Sequence, residues 1–562
     1  MERCTVSVWP RLEPFLLGVL PAAAPPAKFS MHYLRKMAAY VRSRDGCYPR
    51  LRWPLWRHIA CGKLQLPGDT AWLYFETFDL LAPRTPEERL EWAEAASQCE
   101  TPEELDTLRH KLSVDTLQFL LFLYMQQLNR VSLRSSLIGE EWPSPRSRSP
   151  SPPPDRDSKT TAQNKNWDDQ AHLAFVQAHL SELLELVLEP GQAGRGSGPG
   201  GALRESLVSA EALRGLSFVL EGSLSRGRAV HPLHELLGWG PLQGQAGYSA
   251  LTRCFSLPRL HAWLRDVLAP NPFATTACLR SGRKLAWAQQ VEGSMKRAKV
   301  VQNTHTAPEG SRLVLMSQVF RQTLAKSSEK LSGAHVKLHR CCEAFIYLLA
   351  PLRSVSVEKC RRCTLVLGPV QTAVHVQGCE DVRVVCAAGR LSVAASSYCT
   401  FHPLTPRRPL LLPGNDALTL APFHTHYPAL EDHMARAGLA VVPSAWDRPL
   451  LLGSEGPPDN PPFRLMPPGE FFRLVVPFEM EGDTSEVPGG LPPAYQRAVA
   501  AREHRVQSWR KSITEAKLSK DQRRQLESLV EKKFHEWLLE SGHRQQLDSL
   551  IPPPPETKQA AG

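Results

Sequence analysis

The sequence predicts an α+β multidomain fold with mostly helical N-terminal regions, a parallel β-helix domain and a helical C-terminal tail. The first observation is a series of helix-start signals and of apolar residues three or four apart in the N-terminal half. The second is a set of four segments after residue 335 that share one alternating template. The third is a capping box that opens an amphipathic stretch near the C-terminus. A chain of 562 residues has room for several such domains and needs no disulfides to build their cores.

Changes in composition set the predicted domain boundaries. They give a helical domain at 1–142, a disordered Pro/Ser/Arg linker at 143–165, a helical region at 166–304, the β-helix domain at 305–448, a turn-rich crossing at 449–493, a helical hairpin at 494–542 and a disordered tail at 551–562. Proline accounts for 49 of the 562 residues, which is above the usual ~5% and typical of loops and linkers. Ser144, Ser149 and Ser151 in the linker each precede proline and are candidate phosphorylation sites, although a plain spacer is an equally good interpretation.

Charge and hydropathy exclude several function classes. The formal net charge of +11 is small for this length and no basic block dominates, so nucleic acid is not expected as the main partner. The longest strong apolar run, Phe119–Met125, is far shorter than the ~20 residues of a membrane span. The short run Phe15–Leu20 follows Glu2 and Glu13, which argues against a cleaved signal peptide. The 13 cysteines are therefore expected to be reduced, buried thiols.

Helix signals and aromatic residues organise the N-terminal half. Thr85-Pro-Glu-Glu88 and Thr101-Pro-Glu-Glu104 each combine a capping Thr, Pro at the first helical position and acidic residues over the positive helix end. Ser113 is the predicted cap of the next helix. Large aromatic residues are predicted to lie in the core rather than to line a ligand site: Trp53, Trp56, Trp72, Tyr74, Trp239, Trp263 and Trp287.

A repeat in the second half of the chain decides the fold. The four segments begin at Val336, Val355, Val374 and Leu391, which are 19, 19 and 17 residues apart. Alternation with period two indicates strands, and a small residue in the sixth position indicates a tight corner between two strands. That sixth position is occupied by Cys341, Cys360, Cys379 and Ser396. Stacked coils of this kind bury a continuous apolar column, so the sequence predicts a parallel β-helix with cysteines as compact fillers.

Two candidate metal motifs are weak. Cys360-Arg-Arg-Cys363 is a single CxxC whose cysteines both fall in inward positions of the repeat. Phe423-His-Thr-His426 with His433 lacks a carboxylate or cysteine that would complete a site, so structural or surface histidines are the favoured interpretation. We predict no metal, no cofactor and no catalytic residue, since phosphate-loop, HExxH and Gly-x-Ser-x-Gly signatures are not found.

The residues of the repeat carry a family resemblance. The coil template, Gly368-Pro369-Val370 and the exit segment Phe423–Pro428, Gly438-Leu439 and Trp446-Asp447 resemble the C-CAP/cofactor C-like domain. Tubulin-binding cofactor C and the retinitis pigmentosa GTPase-activating protein share this domain. The full layout, with the run Leu137–Pro145 and the end His543–Leu550, resembles the centrosomal branch of TBCC-domain proteins.

This resemblance implies a non-enzymatic protein of the cytoplasm and cytoskeleton. It implies a location at the centrosome, the microtubule organizing center, and at spindle poles. The implied role is to regulate centrosome positioning and Golgi organization, and through them cell shape and migration. The implied partners are centrosomal and microtubule-associated proteins, with tubulin or a small GTPase bound without catalysis as further candidates, and neither nucleic acid nor membrane insertion is expected.

Catalytic relatives carry a Gln-x-Arg triplet whose arginine neutralises charge on the γ-phosphate of a GTPase. The resemblance places this triplet at Arg390-Leu391-Ser392, so serine replaces the arginine. Arg390 lies two residues earlier and could serve as a displaced finger, which keeps a GTPase-activating protein for tubulin or an ARF-like small GTPase as the alternative. The outward column Lys337, Ser356, His375 and Ser392 is the candidate interaction face.

Two helices are predicted at the C-terminus. The first runs from about 493 to 517 and the second begins at the capping box Ser519-Lys-Asp-Gln522 and ends near Gly542. Their apolar stripes are Val506, Trp509 and Ile513 on the first and Leu526, Val530, Phe534, Trp537 and Leu538 on the second. The favoured interpretation is a hairpin packed on the body of the chain, and the alternative is a partner-binding helix.

Overall fold

The structure is a computed structural model that describes residues 6–20, 29–44, 48–128, 169–188, 206–224, 229–281, 283–284, 299–302, 312–327, 329–453, 461–477, 480–540 and 544. Contacts divide the chain into two compact units. The first comprises Met1–Pro83, Cys99–Gly282 and Asn303–Arg312, and the second Arg84–Gln98, Arg283–Gln302 and Leu313–Gly562. The predicted linker with its three candidate phosphorylation sites, Trp287 and the predicted tail lie outside the described residues.

The first unit is mostly helical, with short strands between helices. Its helices are α1 (Met31–Arg42), α2 (Trp53–Arg57), α3 (Gly68–Leu81), α5 (Pro102–Arg109), α6 (Thr116–Met125), α7 (Asp169–Val187), α8 (Ala210–Leu216), α9 (Leu233–Leu236), α10 (Gly240–Gln245), α11 (Leu257–Val267) and α12 (Thr275–Ser281), with π-helical turns at Pro14–Gly18 and His58–Lys63. Its strands are β1 (Ser7–Pro10), β2 (Arg50–Arg52), β3 (Ser113–Asp115), β4 (Leu207–Val208), β5 (Leu220–Ser223), β6 (His231–Pro232), β7 (Tyr248–Ser249) and β8 (Cys254–Ser256). The predicted helical region at 166–304 is therefore interrupted after α7 by short antiparallel strands that are too brief for their alternation to show in the sequence.

Aromatic residues form the core of the first unit, as predicted for most of them. Trp56 lies edge-to-face against Phe119, with ring centroids 4.9 Å apart, and its indole N–H donates to the Ala71 carbonyl at 2.9 Å. Trp53, Tyr74 and Trp263 are also buried, and Trp72 is half-buried. The prediction was wrong for Trp239, which keeps 51% of its surface exposed at the start of α10.

Helix caps confirm one sequence signal and correct another. Thr85 and Glu88 form a reciprocal capping box at the start of α4 (Pro86–Ser97), which belongs to the second unit, and Thr101 caps α5. Ser113 does not cap α6. It lies in β3, and the Asp115 carboxylate accepts the N–H of Gln118 at 2.9 Å instead. Asp and Ser are comparably good caps, so the sequence could not separate two candidates two residues apart.

The second unit is built on a parallel β-helix of about six turns around residues 313–420, which confirms the predicted fold. Its strands are β9 (Arg283–Lys284), β10 (Lys299–Gln302), β11 (Leu313–Ser317), β12 (Thr323–Lys326), β13 (His335–His339), β14 (Phe345–Leu348), β15 (Ser354–Glu358), β16 (Thr364–Leu367), β17 (Val370–Gln377), β18 (Arg383–Ala394), β19 (Thr400–Leu404), β20 (Leu410–Leu411), β21 (Leu418–Leu420), β22 (Thr425–His426), β23 (Leu450–Leu451), β24 (Phe463–Leu465) and β25 (Leu474–Val475). One ladder runs through β11, β13, β15, β17, β18 and β20, and the other through β12, β14, β16, β18, β19 and β21. β18 belongs to both, because it passes from one face to the other without a loop.

The coil interior is the predicted apolar column. Val376, Cys360 and Cys379 are almost completely buried, as predicted. The cysteine at each corner points its thiol at the carbonyl two residues earlier, and Ser396 in the next coil donates in the same way to the Ala394 carbonyl at 2.8 Å. The corner position therefore accommodates a small group that can satisfy a backbone acceptor inside an apolar column.

Each coil turns its corner on two residues with positive φ, three positions apart. The pairs are Gln318 and Arg321, Arg340 and Glu343, Lys359 and Arg362, Gly378 and Asp381, Ala395 and Tyr398, and Gly414 and Ala417. Only two of these residues are glycine, although the left-handed region costs an L-residue roughly 1–2 kcal/mol. Single backbone bridges between successive corners, such as Cys342 to Arg361 and Arg361 to Glu380, hold this conformation in place.

Other elements cover the faces and ends of the β-helix. β10 pairs antiparallel with β11 and closes the first edge. The outer face of the β14–β19 sheet carries Tyr347, Val366 and Val385, which form a second core with α13 (Leu430–Ala437). Gly438 ends α13 in the left-handed conformation. The turns Glu329–Leu331 and Pro468–Glu470 are 3₁₀ helices.

Two C-terminal helices form as predicted, at α14 (Pro493–Glu515) and α15 (Lys520–Glu540), and the Ser519–Gln522 capping box is present. Tyr495 and Val499 at the start of α14 pack with Phe471. The favoured interpretation, a hairpin packed on the body of the chain, was wrong beyond that point. Much of both apolar stripes stays exposed, since Trp509 retains 52% and Phe534 50% of their surface, whereas Leu538 of the second stripe is buried.

Candidate functional site

The ladder of the β-helix brings together the predicted column of four residues. Lys337 is opposite Ser356, Ser356 opposite His375, and His375 opposite Ser392. The inward neighbours Val374 and Leu391 are also opposite each other, so Ser392 projects to the outside of the coil. Arg390 lies in the adjacent column, opposite Ala373.

This outer face is largely covered. Arg390 and Ser392 keep only 2% and 3% of their surface, and Ser356 is buried as well. Lys337 and His375 are half-buried. The sequence predicted which residues share the column, but the covering of the column could not be read from the repeat. Its role as an interaction face stays a prediction.

The charged side chains of this face are mostly shielded from solvent by ion pairing and burial. The Lys337 ammonium lies 2.9 Å from a carboxylate oxygen of Glu358, and both side chains are mostly buried. Burial, together with the nearby Arg390 charge, lowers the pKa of His375 to about 4. At neutral pH His375 is therefore a neutral hydrogen-bonding group, and Arg390 and Lys337 supply the positive charge of the face.

Polar contacts continue along the neighbouring positions. The His335 ring Nδ1 lies 2.6 Å from the Ser354 hydroxyl, and the Arg353 guanidinium donates to the Gln371 side-chain carbonyl at 2.7 Å. A face of this kind can hold a shape and orient hydrogen bonds. A guanidinium acting in trans on a phosphate must extend from the surface, whereas Arg390 is enclosed and the Ser392 hydroxyl is short.

The predicted histidine cluster resolves into two separate structural contacts. His424 stacks on His402, with ring centroids 3.6 Å apart and an angle of 12° between the rings. His402 lies in the preceding coil, outside the motif Phe423–His426, so no sequence motif marks it as a partner of His424. His433 instead contacts the Tyr427 hydroxyl at 3.0 Å, and His426 is half-buried in β22. Within the described part of the chain, no group of three or more His, Cys, Asp or Glu residues is placed to hold a metal ion.

Burial keeps the stacked histidines neutral. The His402 Nδ1–H donates to the Pro422 carbonyl at 3.0 Å. Burial lowers the pKa of His402 to about 3 and the pKa of His424 well below its usual value, and the nearby Arg383 charge acts in the same direction. A charged imidazole here would be desolvated and close to a guanidinium, so the pair serves as polar packing material.

Burial also sets the protonation state of two cysteines of the coil. Burial raises the pKa of Cys363 and of Cys399 to about 12, so both remain protonated thiols. Cys360 and Cys363, the two residues of the CxxC motif, are both buried in the apolar column. A zinc ligand would have to be a thiolate, which this environment disfavours.

At the corners of three successive coils, one carboxylate lies between two arginine side chains. Glu343 lies 2.5 Å from the Arg321 guanidinium in the preceding coil and 2.6 Å from that of Arg362 in the following one. The Glu343 side chain is mostly buried, while both arginines are exposed. This ladder joins three successive coils through charge, and the sequence repeat alone did not indicate it.

The fold and the column define a class of protein. The family model for TBCC, "Tubulin binding cofactor C", matches residues 333–450, which lie on the β-helix. A TBCC domain-containing protein 1 from Danio rerio is 64% identical over 555 residues, covering 98% of this chain and 95% of that protein. The human protein of that name is 58% identical over 564 residues, covering 100% of both chains, and that of Gallus gallus is 59% identical over 560 residues, covering 99% of both.

The chain is thus a TBCC-domain protein, in which a parallel β-helix carries a covered polar column. The similarity extends far beyond the domain itself, over both units. The chain belongs to the TBCC domain-containing protein 1 family. No helix in the described part of the chain is long and apolar enough to cross a membrane.

Proposed function

We propose that this chain is a non-enzymatic cytoskeletal protein of the centrosome and spindle poles that regulates centrosome and Golgi positioning and thereby cell shape and migration. One observation carries the proposal: the TBCC domain is retained within a full-length family match. The resemblance to the cofactor C-like domain adds that Ser392 falls where catalytic relatives carry arginine. The domain then acts by binding. Because the name of the matching family refers to tubulin binding, tubulin or a tubulin-associated protein is the first partner to test.

The lack of catalysis is supported by chemistry and by burial. An arginine finger is worth roughly 10³–10⁵ in rate because its planar cation neutralises charge on the γ-phosphate, and a hydroxyl cannot replace it. Arg390 retains the right functional group, but it lies one column away and is 98% buried, leaving 2% exposed. A displaced finger would require this face to open.

The first experiment measures GTP hydrolysis. The purified full chain is added to tubulin, with and without the other tubulin cofactors, or to an ARF-like small GTPase. We expect no acceleration, and little from Ser392→Arg, because Arg390 then places a like charge beside the new one. Stimulation by the unmodified chain that disappears in Arg390→Ala would establish the alternative, a GTPase-activating protein with a displaced finger.

The second experiment tests location and role. Endogenous protein is depleted from cultured cells and replaced by tagged chain, and the distance between centrosome and nucleus and the spread of the Golgi are measured. We expect enrichment at centrosomes and spindle poles, and rescue of both distances by the unmodified chain and by Val475→Asp, an exposed position. Val376→Asp, which disrupts the β-helix core, should not rescue. An even cytosolic distribution with normal centrosome position after depletion would contradict the proposal.

A further inference from the structure

Helix α14 is docked at its start and open along the rest of its length. Tyr495 packs with Phe471, and the Arg502 guanidinium donates to the Phe471 carbonyl at 2.5 Å. From there on, every residue of Glu503–Ser512 is exposed, whichever side of the helix it lies on. Nearly three turns of helix therefore stand in solvent on all sides.

An apolar stripe runs along this open part of α14. Val506, Trp509 and Ile513 are three and four residues apart, which places them on one face. Val506 and Trp509 keep 43% and 52% of their surface. The spacing i, i+3 and i+7 is the one with which an amphipathic helix fills an apolar groove of a partner protein, and tryptophan is prominent among the residues that contribute most to such binding. The stripe is therefore a set of anchors for a groove.

The charge of α14 favours an acidic partner. Basic residues outnumber acidic ones on this helix by five to two: Arg497, Arg502, Arg505, Arg510 and Lys511 against Glu503 and Glu515. At 3.6 residues per turn Arg505 and Arg510 flank the stripe, one on each side. Glu515 lies on the opposite face, where it pairs with Lys511 at 3.7 Å, and Glu503 adjoins the docked end. Helix α15 carries five basic and five acidic residues, so of the two helices α14 alone has a net positive charge.

A flat membrane surface fits the open part of α14 less well than an enclosing groove does. The docked residues Tyr495 and Val499 lie on the same face as Trp509, so the body of the domain lies on the side to which the stripe points. A bilayer that approached the stripe would meet that body first. A narrow groove, in contrast, can surround turns of helix that are free on all sides.

The partner that fits has an apolar groove and an excess of acidic side chains. EF-hand sensor proteins have both in their Ca²⁺-loaded state, because Ca²⁺ opens a methionine-rich apolar groove and the binding loops are rich in carboxylates. Basic amphipathic helices are the segments that such grooves enclose. We propose that α14 is bound through Val506, Trp509 and Ile513 by a Ca²⁺-loaded EF-hand protein of the calmodulin type. The interaction then exists only while Ca²⁺ is bound to the partner.

The test titrates the full chain into dye-labelled calmodulin and follows fluorescence anisotropy. With Ca²⁺ we expect saturable one-to-one binding, and no binding after a chelator removes Ca²⁺. Trp509→Ala should raise Kd by about tenfold or more. The matched control is Trp537→Ala, which removes a tryptophan of similar exposure, 49% against 52%, from α15 and should leave Kd unchanged. Because both positions are exposed, a thermal melt should be the same for the two variants and the unmodified chain.

Charge reversal tests the electrostatic part of the proposal separately. Arg505→Glu combined with Arg510→Glu should raise Kd by about tenfold or more. Arg524→Glu combined with Lys532→Glu changes the net charge of the chain by the same amount, at exposed positions of α15, and should leave Kd unchanged.

Three results would overturn the proposal: no saturable binding of calmodulin, binding that persists without Ca²⁺, or an equal loss of affinity with either α15 control. Phosphatidylserine vesicles are the second probe. A chain that does not bind calmodulin but binds these vesicles, and loses them with Trp509→Ala, would identify a membrane as the occupant of the stripe and overturn the proposal too.

Discussion

The stacked pair of His402 and His424 predicts a definite dependence of stability on pH. The perturbation is His402→Asn, since the Asn side-chain N–H₂ can replace the Nδ1–H that donates to the Pro422 carbonyl. Asn does not titrate. The variant therefore removes the proton linkage while keeping the hydrogen bond, and the loss of ring stacking lowers stability by an amount independent of pH.

The magnitude follows from the two pKa values of the group. His402 titrates near 6.5 in an unfolded chain, whereas burial lowers its folded pKa to about 3. Between these values the unfolded chain binds more protons, so stability is fully present above pH 6.5 and falls as the pH drops toward the folded pKa. About pH 5 lies about 1.5 pH units below the pKa of the unfolded chain, so the free energy of unfolding has fallen there by about 2 kcal/mol through this one residue. His424 acts in the same direction.

The assay is urea unfolding of the full chain at a series of pH values between neutral and about 5. The free energy of unfolding of the unmodified protein should fall more steeply than that of His402→Asn, so the stability advantage of the unmodified protein should shrink by about 2 kcal/mol over this interval. His504→Gln, at an exposed position of α14, provides the baseline for removing an imidazole. Parallel curves for the unmodified protein and His402→Asn would refute the reasoning, because they would mean that His402 is not held neutral by burial.

Three further predictions concern stability of the full chain. Val376→Asp should lower the free energy of unfolding by several kcal/mol, because it leaves an unpaired carboxylate in an apolar column, whereas Val475→Asp at an exposed strand position should have a small effect on a thermal melt. Equal melting temperatures would reject the β-helix frame. Glu343→Gln should lower the free energy of unfolding by about 1 kcal/mol, and by less in high salt, because salt screens the exposed guanidinium groups that flank Glu343. A loss of stability that grows with salt in urea titrations would contradict the ion-pair ladder. Gly438→Ala should lower the free energy of unfolding by about 1–2 kcal/mol or more, because φ of Gly438 is +64° and the new Cβ would lie 2.9 Å from the Pro86 Cα. Unchanged urea unfolding would rule out this close approach.

The sequence predicted the coils where their residues follow the template, and missed them where they do not. In the first coil the corner position is Val319 rather than a small residue, and in the last it is Asn415. Asn415 works there because its side-chain N–H₂ donates to the carbonyls of Val393 and Leu412, while its oxygen accepts the N–H of Ser396. A polar residue can thus occupy a position that apolar periodicity assigns to the core, provided that every polar atom is satisfied.

The candidate site was predictable in its register but not in its environment. Period-two alternation places Ser392 and His375 in one outward column, because a shift of one residue would turn the outward side chains inward and the inward ones outward. Whether that column is open to solvent depends on what else in the chain covers it, and the repeat carries no such information. The same limit applied to α14 and α15. Helical spacing identified their stripes, but spacing does not say whether a stripe is covered by the same chain.

The continuous strand β18 has a mechanical consequence for the β-helix domain. Each coil of a β-helix contacts only its neighbours, so a pulling force applied at the two ends should unfold the coils one at a time. A loop between two strands can lengthen when one coil unfolds, which leaves the next coil in place. No loop interrupts Arg383–Ala394, because this one continuous strand supplies the second half of one coil and the first half of the next. These two coils should therefore rupture together, as one larger step in a force–extension trace, and form the part of the domain that yields last.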